Sequence, residues 1–171
     1  MKKLMILATL LMCALPGWTV PLQQAFDQAA PGAGYDRLVY LDNEVVYTGG
    51  LTLDDGNYCI LSAGAVVDLQ GSRIIVNPTA LLDICGVVLC GSDSAALKYA
   101  GAGHGWVDHL TFARNYDGLY WWQNANMMVT SCIFSYSTHF GVYRHQTCTS
   151  WMGFNDAYSN TGGNYKEWCP S

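Results

Sequence analysis

The chain has 171 residues, of which 12% are charged and 51% are aliphatic, aromatic or Cys. That apolar content excludes an intrinsically disordered chain, and 18 Gly without a three-residue period exclude a collagen. The formal charge is −5 and the eight Lys and Arg are scattered, so the basic stripe that a nucleic-acid partner needs is missing.

The first residues read as a targeting segment. Lys2-Lys3 gives a positive start, residues 4–15 form an uncharged apolar run, Pro16-Gly17 breaks it, and Thr19 offers a small residue for cleavage. We therefore expect a secretory signal over 1–19, of bacterial type, and an extracellular or periplasmic protein. Removal of Lys2 and Lys3 takes the formal charge from −5 to −7. No apolar stretch beyond this start reaches the ~18 residues of a membrane span.

Residues 20–34 are the one helical candidate, with Leu22, Ala25, Phe26 and Ala29 at helical spacing and Pro31-Gly32 as the stop. They are expected to cap the domain that follows, over 35–171. From Tyr35 onward the pattern changes to short β-rich runs broken by Gly, Asn, Asp and Ser. These runs cover 38–41, 45–48, 59–61, 65–69, 73–76, 81–84, 86–89, 106–112, 118–122, 126–134 and 141–144. Cys59, Cys85, Cys90, Cys132, Cys148 and Cys169 follow the leader. In an oxidising compartment an even count permits disulfides. Cys148 with Cys169 is the first pair expected, while Cys85, Cys90 and Cys132 lie in apolar runs that suit core side chains.

The spacing of the runs carries the architecture. Residues 67–71 are echoed at 82–86, an interval of 15, too short for a full coil and more in keeping with strands on two different faces. Residues 110–112 are echoed at 132–134, and 117–120 at 140–143, intervals of 22 and 23. Phe154 repeats the aromatic of Phe134 once more, at a slightly shorter interval. A period near 22 with small residues at corners fits a coil of three short strands, stacked on its neighbours at about 4.8 Å. The expected fold is an all-β, right-handed parallel β-helix of about five or six coils with a short N-terminal capping helix. A β-sandwich is the rival, but Asp55-Gly56 and Asp117-Gly118 are the only Asp-Gly steps and Asn-Gly is absent. Leu69, Ile84, Leu110, Phe112, Leu119, Val129 and Phe134 are expected in the core.

In the register of the longer echo Trp121 lies above Arg144 and Trp122 above His145. Leu119 and Trp121 then point inward, and Tyr120 and Trp122 outward. Arg144 is left at a nominally inward place, which marks a strand end or the last coil. Tyr120, Trp122, Tyr143 and His145 would form an outward strip of rings, the candidate binding surface for a polysaccharide or a cell-envelope partner. Arg or His beside such rings can hydrogen-bond hydroxyls or pair with a uronate.

Several of these residues also carry a resemblance. Trp106-Val107-Asp108-His109, then Asp117-Gly118-Leu119, then residues 129–134 and His139, resemble the central coils of the pectate lyase family, over about residues 103–145. The resemblance implies a right-handed β-helix and a calcium-dependent polysaccharide lyase acting by β-elimination, or a truncated copy of one. It carries over only Asp108, His109 and Asp117. Asp117 is the candidate calcium ligand, and Asp108, His109 and Arg144 are the catalytic candidates. The family's second motif carboxylate is replaced by Trp121, its Lys after the coil's His by Phe140-Gly141, and its Arg-rich catalytic segment is absent. Two acids do not make a calcium site, which needs about 6–8 oxygens. The expected function is therefore glycan or envelope binding without the full lyase machinery, and no cofactor is called for. Gly103-His104-Gly105 is similar to the Gly-His-Gly of polygalacturonases, but paired carboxylates are missing near it and it reads as a corner.

Overall fold

The computed structural model describes residues 18–145, 148–166 and 169. The expected signal segment lies outside the described residues except for Trp18 and Thr19. Thr19 opens a strand that pairs into the fold.

Fifteen strands and one short helix make a parallel β-solenoid of about six turns. The strands are β1 (Thr19–Pro21), β2 (Arg37–Leu41), β3 (Val46–Thr48), β4 (Leu51–Gly71), β5 (Ile74–Ser92) and β6 (Ala95–Tyr99). They continue as β7 (His104–Asp108), β8 (Thr111–Ala113), β9 (Asp117–Trp121), β10 (Asn126–Thr130) and β11 (Ile133–Ser135). The last coils hold β12 (Phe140–Arg144), β13 (Thr149–Gly153), β14 (Asp156–Tyr158) and β15 (Gly163–Tyr165). Helix α1 spans Leu22–Gln28.

Every named pairing is parallel, and the strands sort into three faces. One face stacks β6, β9, β12 and β15 on the starts of β4 and β5. A second stacks β2, the middles of β4 and β5, then β7, β10 and β13. The third stacks β1, β3, the ends of β4 and β5, then β8, β11 and β14. Partners on adjacent coils keep the spacing of the two later echoes: Phe112 faces Phe134 and Tyr120 faces Tyr143. The shorter echo, 67–71 at 82–86, joins two faces, since Val67 pairs with Leu89 whereas Leu82 pairs with Tyr58.

Alternation along each strand sends every second side chain inward, so like positions stack into apolar ladders. Tyr47, Val67, Leu89, Phe112, Phe134 and Ala157 form one such ladder. The Phe112 and Phe134 rings lie parallel, with centroids 4.8 Å apart and planes 11° apart. All seven expected core residues are buried. Phe154 does not continue the ladder: Ala157 takes the place opposite Phe134, and Phe154 is 87% exposed at a corner. The helix is shorter than the 20–34 segment because Val20 is committed to β1, but its Leu22 and Phe26 are buried over the first coil. Arg37 closes the helix by donating to the Phe26 and Asp27 carbonyls.

The six described cysteines are free thiols. Cys148 and Cys169 do not pair. Each thiol is spent on a backbone carbonyl, Gln123 for Cys148 and Val142 for Cys169. Cys132 is a core residue, whereas Cys85 and Cys90 are only half-buried.

Strands β6, β13, β14 and β15 were not legible as apolar runs. Between strands, Asn side chains serve as connectors from one coil to the next. The Asn115 amide accepts the Ser92 N–H and donates to the Leu89 carbonyl, Asn155 does the same for Cys132 and Val129, and Asn160 for Ser137 and Phe134. Each Asn therefore satisfies one donor and one acceptor of the preceding coil, at places where the strand ladder lapses.

Two outcomes follow. Phe112→Ala or Phe134→Ala is expected to lower stability in urea unfolding by about 3–5 kcal/mol. The double substitution should cost less than the two together, because both remove the same ring stack. Asn115→Ala should cost about 1–3 kcal/mol for each of the two backbone groups it orphans, with little change in the strand content seen by circular dichroism.

Candidate functional site

The face built by β6, β9 and β12 carries the aromatic candidates. Its outward column runs Lys98, Tyr120 and Tyr143, one residue per coil, and Lys166, just past β15, lies over the Tyr143 ring. The Tyr120 and Tyr143 centroids are 4.8 Å apart. Lys98 Nζ lies 5.7 Å from the Tyr120 ring, and Lys166 Nζ lies 5.5 Å from Tyr143 and 5.3 Å from Phe140. Trp122 and His145 stack beside this column at 4.4 Å. The structure thus brings Tyr120, Trp122, Tyr143 and His145 together, but not as a flat strip. Tyr120 and Tyr143 are tilted by 51°, Trp122 and His145 by 50°, and all four are half-buried. The tilt lets each ring lean on a neighbour across the stack and opens the ring faces to the two ammonium groups.

A cleft of about 340 Å³ opens on this face, lined by Arg73, Lys98, Tyr116, Asp117, Tyr120 and Tyr143 among others. Burial, with Tyr143 and Asp117 nearby, pushes the Tyr120 hydroxyl up to about 12, so it stays a phenol that can donate and accept hydrogen bonds. Asp117 is nearly enclosed at the end of the cleft. Its Oδ1 accepts from the Phe140 N–H at 2.9 Å and lies 2.9 Å from His139 Nδ1, while His139 stacks on Tyr116. The sequence position that the lyase pattern gives to a second carboxylate is Trp121, fully buried in the core. No carboxylate reaches Asp117 from there.

Asp108 and His109 lie on a different face, at the end of β7. His109 Nδ1 is 2.8 Å from Asp108 Oδ2. Thr130, one coil on, donates to Asp108 Oδ1, and Trp106 Nε1 donates to Thr130 Oγ1 at 2.9 Å. Burial pushes the Asp108 carboxyl up, but the donors from Thr130 and His109 outweigh it and hold the group below its ordinary value. Arg144, the third catalytic candidate, ends β12 directly above the buried Trp121 and donates to the Cys148 carbonyl. It closes an interior ladder at a strand end, which accounts for its inward place. Asp108 and His109 therefore do not converge with Arg144 or with Asp117.

Three features were missed in the sequence. Lys98 and Lys166 flank the tyrosines at the same period, a signal that was present and unused. Cys85 stands opposite Asp108 in the β5–β7 register. Trp106, Met128 and Trp151 form an exposed apolar column on the second face. Gly103-His104-Gly105 runs from a corner into β7. A Cβ on Gly105 would collide with the Leu82 carbonyl oxygen, so close packing of coils requires that glycine.

Comparison of the chain with protein-family models, with curated proteins and with solved structures gives no match.

The Asp108 network has a testable pH signature. Its folded-state pKa is lowered, so its contribution is present above the unfolded value, near 3.8, and is lost as pH falls through the lower folded value. Thr130→Val removes the donor to Oδ1. The acid unfolding midpoint followed by tryptophan fluorescence should then move to higher pH, while Thr130→Ser keeps it in place.

Proposed function

We propose that this chain is a secreted solenoid that binds an acidic polysaccharide on the face made by β6, β9 and β12. The observation that carries this reading is the column Lys98, Tyr120, Tyr143, Lys166, in which two adjacent, mutually tilted rings lie between two ammonium groups. Three of the eight Lys and Arg, namely Arg73, Lys98 and Lys166, gather there in a chain that is acidic as a whole. The column spans three inter-strand steps, roughly 14 Å, enough for about three sugar rings. Aromatic faces suit the apolar faces of sugars, and the cations suit uronate carboxylates. Tyr120 and the Asp117–His139 pair supply hydrogen-bonding groups for hydroxyls at the cleft wall. The leader-like start, Lys2-Lys3 with residues 4–15, supports export. The parallel coil and the Trp106 to His139 motif order support kinship with pectate-lyase-like solenoids. The separation of Asp108, His109 and Arg144 supports binding over lyase chemistry.

Isothermal titration with polygalacturonate is the test. Binding is expected without turnover. Lys98→Gln/Lys166→Gln should weaken it by roughly tenfold or more, about 1.4 kcal/mol. A neutral glucan should bind less tightly and show no difference between wild type and variant. Release of unsaturated, ultraviolet-absorbing products in the presence of calcium, abolished by Asp117→Ala, would establish the lyase alternative. Unchanged affinity in the double Lys variant would remove this face from the reading.

A further inference from the structure

The second face holds a separate cluster whose chemistry is that of a metal centre. The β5–β7 register makes Cys85 and Asp108 direct partners on adjacent coils, both outward. The thiol lies 3.9 Å from Asp108 Oδ2. His109 follows Asp108 at the corner with φ +52°, which turns the imidazole back so that Nδ1 lies 2.8 Å from the same oxygen. One ligand atom from each of the three side chains falls within 4.8 Å of the others. It is the one group of three or more such side chains that could hold an ion among the described residues.

We propose that Cys85, Asp108 and His109 form a binding site for a zinc-class divalent cation. Zinc bonds of about 2.0–2.3 Å place tetrahedral ligand atoms roughly 3.3–3.8 Å apart. The widest pair, at most 4.8 Å apart, must therefore close by about 1.0–1.5 Å, and the Asp108–His109 pair must open from 2.8 Å by about 0.5–1.0 Å. Thiolate, imidazole and carboxylate together favour zinc or cobalt over calcium, which takes oxygen ligands. The neighbouring coil already orients the carboxylate: Thr130 occupies Oδ1, Trp106 Nε1 holds Thr130, and Oδ2 is left facing Cys85 and His109. Ligands of metal centres are held by outer hydrogen bonds of this kind. A cavity of about 220 Å³ adjoins Cys85 and Asp108, lined also by Tyr35, Cys59, Asp83 and Trp106. It gives room for a water or a small ligand at the fourth position.

Binding is balanced in charge. The Cys85 thiol releases its proton to solvent and the thiolate sulfur joins the ion. The neutral imidazole gives up the Nδ1 proton that it donates to Asp108, takes one from solvent on Nε2, and binds the ion through Nδ1. Asp108 contributes Oδ2. One thiolate and one carboxylate neutralise the divalent ion.

Cobalt(II) added to the full chain, purified with its thiols reduced, is the probe. One equivalent should give tetrahedral d–d absorption and a thiolate-to-cobalt charge-transfer band, both bleached by zinc. Cys85→Ser should abolish the charge-transfer band, and Cys90→Ser, on another face, should leave it unchanged. His109→Asn suits the positive φ at that corner. Outer partners alone cost 10–100-fold in affinity, so losing a ligand there should cost about 100-fold or more. No cobalt absorption, or a charge-transfer band that survives Cys85→Ser, overturns the proposal. Should Cys85→Ser fail to fold, alkylation of the wild-type protein decides. Zinc should protect Cys85 from iodoacetamide, as mapped by peptide mass, and alkylation of Cys85 at the same rate with and without zinc overturns the site.

Discussion

The constraint on which the structure rests is the corner. Each coil turns through single residues held at positive φ, and these recur in columns. Gly64, Gly86, His109, Ser131 and Phe154 make one column, and Gly91, Arg114, Tyr136 and Ser159 another. In most of these places the residue is not glycine, although the left-handed region costs an L-residue about 1–2 kcal/mol. The cost is tolerated because each corner is fixed by the coils on both sides. Where coils come closest, the side chain has to go. Gly86 has φ +70°, and a Cβ there would collide with the Ser62 carbonyl oxygen. Regular corners keep successive turns nearly equal in length, and that constant period puts like positions in register.

Register converts one-dimensional spacing into chemistry. Two phenylalanines one period apart become a parallel ring stack. Asparagines reach back one coil and replace a lapsed pair of backbone bonds. A lysine, two tyrosines and a lysine become a column in which cations lie over rings. None of these contacts is local in sequence, so each depends on the corners keeping count. The same rule separates neighbours. Asp108 and Asp117 are close in sequence, yet the corners at His109 and Arg114 carry them to different faces.

That separation marks the limit of what the sequence made legible. The period, the fold class, the core and the Tyr120–Tyr143 and Trp122–His145 stacks could be read from residues 110–145, where two successive coils use similar residues. The first coils were harder, because a ladder preserves apolar character and not identity: Val67 stands opposite Leu89 and Leu89 opposite Phe112. The apparent echo of 67–71 at 82–86 joined strands of different faces, and Phe154 drew attention from Ala157, the true partner of Phe134. The Asp108, His109 and Asp117 grouping came from linear motif order and ignored the corners between them. The lysines were overlooked because charge was counted over the chain and not along the period.

Charge along the period also bears on how such a molecule would meet a polyanion. With a formal charge of −5 the whole chain repels one at long range. The cations of the β6–β9–β12 face therefore act only close to that face, within a Debye length of about 8–10 Å. Added salt then screens the distant repulsion as well as the near attraction, and the two changes oppose each other. Recognition on this face draws less on steering than on ring contact and on short-range pairing by ammonium groups already held over the tyrosines. This is why the order Lys98, Tyr120, Tyr143, Lys166 matters more than net charge. Placing the same lysines elsewhere would leave the composition unchanged and separate the cations from the rings.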